Sequence, residues 1–223
     1  MFRKLAYVSF ALLVAGGVSL ALAHTKSAHG PDPSYTGAPP VASKIGELNC
    51  TWCHTPSNGN NLNTPGGAVE ILGLPKSYEA GRTYTLTVRL HSDSTVADTG
   101  RKWGFEMTAV RASDGAGSGI FLLPNGDSLD IRPGELAPFL SRSYVEHTDF
   151  GTRVSLGGPV TWTFDWEAPN PLEGKIYFFC AGNAADGTGD PANDFIFTTA
   201  DSVLDMVSPV AVTSWGSLKA RYR

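Results

Sequence analysis

Short runs in which every second residue is apolar, broken at close intervals by Gly, Pro and Asp, fill the chain from about Val69 to Thr199 and restrict it to a β fold. In Thr83 to His91 the residues Tyr84, Leu86, Val88 and Leu90 fall on one face, and Thr83, Thr85, Thr87 and Arg89 fall on the other. Further runs are Trp103 to Arg111, Gly119 to Leu123, Ser143 to His147, Val160 to Trp166, Lys175 to Ala181 and Phe195 to Thr199. Trp162, Phe164 and Trp166 alternate cleanly. Ile176 to Cys180 is apolar on both faces and reads as a central strand. No window has the 3.6-residue period of an amphipathic helix, and no internal repeat is present. The expected class is therefore all-β, a sandwich over about 68–202, with 203–223 as a C-terminal tail.

Two other stretches differ in character. Arg3 and Lys4 precede an apolar run from Leu5 to Leu22 that closes on Ala21-Leu22-Ala23, the form of a secretory signal peptide over 1–23. A retained membrane anchor is the competing reading, since about 18 apolar residues lie at the lower edge of spanning length. After cleavage the chain is expected to have no stable membrane span, because the tail with Lys219, Arg221 and Arg223 is no anchor. The 17 basic and 21 acidic residues give a net charge of −4. Loss of Arg3 and Lys4 leaves 15 basic residues against the same 21, or −6, which argues against nucleic acid as a partner. Between the signal and the sandwich, residues 24–67 are rich in Gly, Pro, Asn and Ser and lack any period. Such a segment is expected to need apolar surface from elsewhere, and a cofactor could supply it.

That segment contains Cys50-Thr51-Trp52-Cys53-His54. Two thiols at this spacing can add across the vinyl groups of a porphyrin, and the imidazole that follows can ligate its iron. One covalent haem c is the expected cofactor, with thioethers at Cys50 and Cys53, His54 as proximal ligand and Trp52 packed on the macrocycle. A thioredoxin-like dithiol would need a βαβ context that the sequence lacks. A structural zinc site would have to recruit Cys180, which sits in an apolar strand and reads more simply as a small buried hydrophobe.

The sixth ligand decides between an electron carrier and an open site for a small molecule. Met107 alternates with Phe105 as a core residue would, and His147 stands at a strand end. His91 and His29 are weaker candidates. His24, exposed as the first residue after cleavage, would be half of a copper-binding histidine brace with no recognisable second half. The loop Gly182 to Asp190 could hold a hard cation, although turn chemistry explains its Asp and Asn residues equally well. No Ser-His-Asp set, phosphate loop or recognisable carboxylate pair supports hydrolytic or transfer chemistry.

Several short matches, in order, carry a resemblance. They are Tyr35-Thr36-Gly37-Ala38-Pro39 ahead of the cysteine motif, Tyr78 to Tyr84, Trp103-Gly104-Phe105-Glu106, His147-Thr148, Trp162 to Pro169 and Gly189-Asp190. Over roughly residues 35–200 the chain resembles the reelin-like domain of bacterial exported proteins, in which a haem-binding lead segment precedes the sandwich. The resemblance implies an immunoglobulin-like sandwich in a periplasmic, extracellular or cell-surface setting. It also implies a His-Thr pair at the place of His147 and Thr148, which favours His147 over Met107 as distal ligand. The function then expected is that of a monohaem c-type cytochrome exchanging electrons with a redox partner protein, possessing no catalytic residues. An adhesion or assembly module with a structural haem, and an open-site haem enzyme or sensor, are the alternatives.

Overall fold

The alternation of the sequence is realised as two sheets packed face to face in a computed structural model that describes residues 30–56, 59–93, 100–124, 128–155 and 158–206. The expected signal peptide, His24, His29 and the tail from 207 onward lie outside the described residues. The strands are β1 Gly67–Leu72, β2 Ser77–Tyr78, β3 Thr83–Ser92, β4 Arg101–Arg111, β5 Ile120–Leu122 and β6 Leu129–Pro133. They continue with β7 Ser143–His147, β8 Arg153–Ser155, β9 Val160–Glu167, β10 Ile176–Ala185 and β11 Phe195–Asp205. One sheet has the order β1-β3-β9-β5. The other runs β2-β11-β10-β4-β7-β6, with β8 paired to β4. All pairings are antiparallel except the short β2–β11 contact. No helix among the described residues is long and apolar enough to cross a membrane.

The core lies between the sheets. Leu86, Val88 and Leu90 of β3 and Trp162, Phe164 and Trp166 of β9 face Trp103, Phe105 and Met107 of β4 and Phe178 and Cys180 of β10. Full burial of each such side chain contributes roughly 1.5–3 kcal/mol, and the rings meet edge-on, as Trp166 and Phe178 do, tilted, as Phe105 and Trp162 do, or stacked, as Phe105 and Phe164 do. The buried indoles are also satisfied: Trp162 Nε1 donates to Gly151 O at 2.8 Å and Trp166 Nε1 to Ser118 O at 3.2 Å. β10 lies between β4 and β11, as its doubly apolar sequence predicts.

The alternation that sends Phe105 and Phe178 inward sends Glu106, Val110, Phe179 and Asn183 to the outer face of the larger sheet, where the lead segment lies. Ala38 and Val41 pack on Val110 and Phe179, and Leu62 bridges to Ile196. Glu47 anchors the middle of the segment. Its carboxylate accepts from the Thr36 hydroxyl, from Tyr144 Oη at 2.6 Å and from the Arg142 guanidinium, with both ion-pair side chains fully buried. The described part of the lead segment is thus held to the sheet by Ala38, Val41 and Glu47, while Ile45, Leu48 and Trp52 stay exposed.

Three further differences have local causes. β10 continues through Gly182 to Ala185, into what reads as an irregular loop; Gly182 faces Leu90 and Val69 of the other sheet at close range, a place where a strand glycine lets the backbone approach. β6 has just two apolar residues and ends in Pro133, which an edge strand tolerates. β11 runs to Asp205, past the expected boundary at 202.

Candidate haem-binding site

The cysteine motif forms one turn of 3₁₀ helix, Cys50–Trp52. Asn49 starts it, its side chain accepting from Thr51 N at 2.9 Å, and the turn closes with Cys53 N and His54 N both donating to Cys50 O, at 3.2 and 2.9 Å. Cys50 is half-buried and Cys53 exposed, and His54 follows directly at the end of the turn. Trp52 is 66% exposed, an unusual position for an indole that no protein group covers. Burial, with the carboxyl of Glu106 adding to it, pushes the Cys50 thiol up to about 12, and burial together with Asp32 raises Cys53. Neither is the low-pKa thiolate of a dithiol oxidoreductase.

Two loops hold the imidazole of His54. Its Nδ1 lies 2.5 Å from Oδ2 of Asp194, a residue only 2% exposed that precedes β11. A carboxylate can only accept, so Nδ1 is the donor of this bond. Asn61 Nδ2 donates both to His54 O (2.8 Å) and to Asp194 O (2.9 Å), which staples the turn to the start of β11. The amide nitrogen of Asn183 stands 3.2 Å from Nδ1 and 3.3 Å from Nε2, while its own buried Oδ1 has no partner.

His147 reaches the same place from the end of β7. Its Nδ1 lies 3.0 Å from Phe105 N and 3.1 Å from Phe105 O, so the β4 backbone fixes the ring through that nitrogen. The ring lies over Gly104, and a Cβ built there would overlap it. Gly104 is the cross-strand partner of Asn183, the residue that touches His54, and the two imidazoles are close enough to repel when charged. Loss of surrounding water, aided by His54, lowers the His147 pKa and favours the neutral ring that can ligate a metal.

The other candidates lie elsewhere. Met107 is fully buried between the sheets, on the opposite face of β4, which corrects its standing as an alternative distal ligand. Cys180 also faces the interior, so a Cys3His zinc site is not assembled, and among the described residues no cluster of three or more His, Cys, Asp or Glu could hold a metal ion. His91 belongs to β3 of the other sheet. In the loop after β10, Asp186 Oδ1 accepts from Thr188 N and Oγ1, at 2.9 and 2.7 Å, and Asp190 Oδ1 accepts from Ala192 N at 2.9 Å, which is turn chemistry. Sequence reasoning missed Asp194, Asn183 and the cradle at Gly104. Only the last had a local signal, a Gly inside a strand pattern.

A pair of buried carboxyls adjoins the site. Glu106 and Glu146 face each other across β4 and β7 at 1% and 0% exposure. Glu106 Oε1 accepts from Ser34 N at 2.8 Å and Tyr35 N at 3.2 Å, whereas Glu106 Oε2 and both oxygens of Glu146 have no hydrogen bond. Burial, then the Glu47 carboxylate, pushes Glu106 up to about 8, and burial, then Glu106, pushes Glu146 up to about 9. The folded chain therefore keeps protons that the unfolded chain releases near 4.5. This contribution is full below about pH 4.5 and falls as pH rises toward 8–9, by up to about 1.4 kcal/mol per pH unit for each retained proton. Urea midpoints are expected to drop between about pH 5 and pH 8, and the double change Glu106→Gln with Glu146→Gln to flatten that slope. An unchanged slope in the double variant would refute the assignment.

No family model matches the chain, and neither does any curated protein. Among solved structures, the reelin-N domain of F-spondin is similar at 15% identity and a TM-score of 0.40, covering 71% of this chain and 96% of that one. The human F-spondin reeler domain gives 13% identity and 0.39, covering 63% and 89%. A cohesin module from a Clostridium perfringens family 33 glycoside hydrolase gives 13% and 0.37, covering 64% and 98%. At these values the likeness extends no further than the β-sandwich.

Proposed function

We propose that the chain is an exported monohaem c-type cytochrome that passes single electrons to and from a redox partner protein. One observation carries the reading: two imidazoles from distant parts of the sequence converge on one sheet face beside Cys50 and Cys53. Each is anchored through Nδ1. The donor set suits a haem. Cys50 and Cys53 would hold it through thioethers, His54 and His147 would ligate its iron, and the exposed Trp52 would find apolar cover on it. Bound haem supplies a one-electron iron couple, and paired imidazoles favour a lower potential than a Met ligand would. The protein's part is to keep both rings oriented, His54 by Asp194 and Asn61 and His147 by the β4 backbone, so that reorganisation on electron exchange is small. A basic partner suits the chain's acidic balance, with an encounter rate that falls with salt.

An open-site enzyme or sensor runs against an imidazole held as His147 is. A purely structural haem is disfavoured because Glu47, Arg142 and the apolar contacts of Ala38 and Val41 already hold the lead segment. The test is expression in cells competent in cytochrome maturation. Haem c in the pyridine haemochrome spectrum, one haem added to the polypeptide mass and a reversible couple are expected. Colourless protein with the mass of the bare chain would end the proposal.

A further inference from the structure

The carboxylate behind His54 has a construction that haem attachment alone does not require. Asp194 is 2% exposed, and three contacts fix it: Oδ2 receives the His54 Nδ1 proton at 2.5 Å, Oδ1 accepts from Asp186 N at 2.9 Å, and its carbonyl accepts from Asn61 Nδ2 at 2.9 Å. The loop between β10 and β11, with its Asp186 and Asp190 turns, serves to present this one carboxylate. A backbone carbonyl would suffice to orient the ring. A buried carboxylate does more, because a charge-assisted hydrogen bond in a water-poor site draws the Nδ1 proton away and raises the basicity of Nε2. A stronger donor stabilises the more positive metal state.

Resting on the haem reading above, we infer that Asp194 is a positioning residue that sets the donor strength of His54 and thereby holds the potential of the site low. His147 Nδ1 meets the Phe105 backbone instead, and among the described residues no carboxylate is hydrogen-bonded to it. The two axial imidazoles are therefore inequivalent by construction, the proximal one being the stronger donor.

The experiment is potentiometry of haem-loaded Asp194→Asn and Asp194→Glu beside the parent. Asp194→Asn keeps the size of the side chain and removes the charge. Its reduction equilibrium is expected to shift toward the reduced form by tenfold or more, about 59 mV for a one-electron couple, with the near-infrared band of two imidazoles retained. Asp194→Glu, which restores the charge, is expected to recover part of the shift. A parent-like potential in Asp194→Asn with the bis-imidazole band intact would overturn the inference, leaving Asp194 only a structural role. Should neither variant load haem, proton NMR of the unmutated oxidised protein decides. A slowly exchanging Nδ1 proton on His54 is expected, and rapid exchange with water would overturn the inference. If the parent itself carries no haem c, the failure is that of the haem reading instead.

Discussion

Replacing His147 by Ala is expected to leave the covalent haem in place while removing the near-infrared signature of two imidazoles and raising the potential by at least about 59 mV, a tenfold change in the reduction equilibrium. Attachment would depend on Cys50, Cys53 and His54, which lie on a separate turn, so the haem content and the mass added by the haem should not change. The reduced variant should bind carbon monoxide at once, where the parent binds it poorly. Gly104→Val tests the same site without touching a ligand. Valine is a good strand residue, but its side chain would occupy the space of the His147 ring, so the sheet should survive while the ring is driven off its seat. The two variants are expected to agree in spectrum and in carbon monoxide binding. If both kept the parent's near-infrared band and potential, His147 would not be the distal ligand.

The parts of this site differ in how far they could be read from the chain, and the reason is the range of the forces involved. The Cys50-to-His54 turn is legible as a unit because its residues are adjacent in the chain, and the structure forms it from local hydrogen bonds. The inward and outward faces of β3, β4 and β9 are legible because side chains alternate with period 2, which also separates His147 from Met107 once the lead segment is known to lie on the outer face. What periodicity cannot give is which outer-face residues meet. The pairing of Gly104 with Asn183 is a matter of β4–β10 register. Asp194 joins His54 only because a loop that looks like plain turn chemistry ends beside the lead segment. Glu47 read as one more polar residue in a stretch without pattern, although it holds that stretch in place.

Removing the partner of Glu47 is expected to produce the largest loss of stability in the protein. In Arg142→Met the Glu47 carboxylate stays fully buried, keeping its bonds from Thr36 and Tyr144 but losing its counter-charge. An uncompensated buried charge costs about 3–5 kcal/mol, a large fraction of the stability of a domain of this size. Arg142 also donates to Gly115 O at 3.0 Å and lies over the Phe139 ring at 4.8 Å, so its methionine replacement keeps some packing while losing every hydrogen bond. The double change Glu47→Gln with Arg142→Met takes away both charges and is expected to recover most of the loss, because two buried ions contribute far less in net terms than either costs alone. Urea denaturation followed by tryptophan fluorescence, with an unchanged m-value, measures both. The lead segment bearing the cysteine turn is anchored through Glu47, so the single variant should also broaden the spectroscopic signature of the axial imidazoles before the sandwich itself unfolds. A loss below about 1 kcal/mol in Arg142→Met would mean that water reaches this ion pair, and that the lead segment is held by Ala38 and Val41 on the sheet rather than by charge.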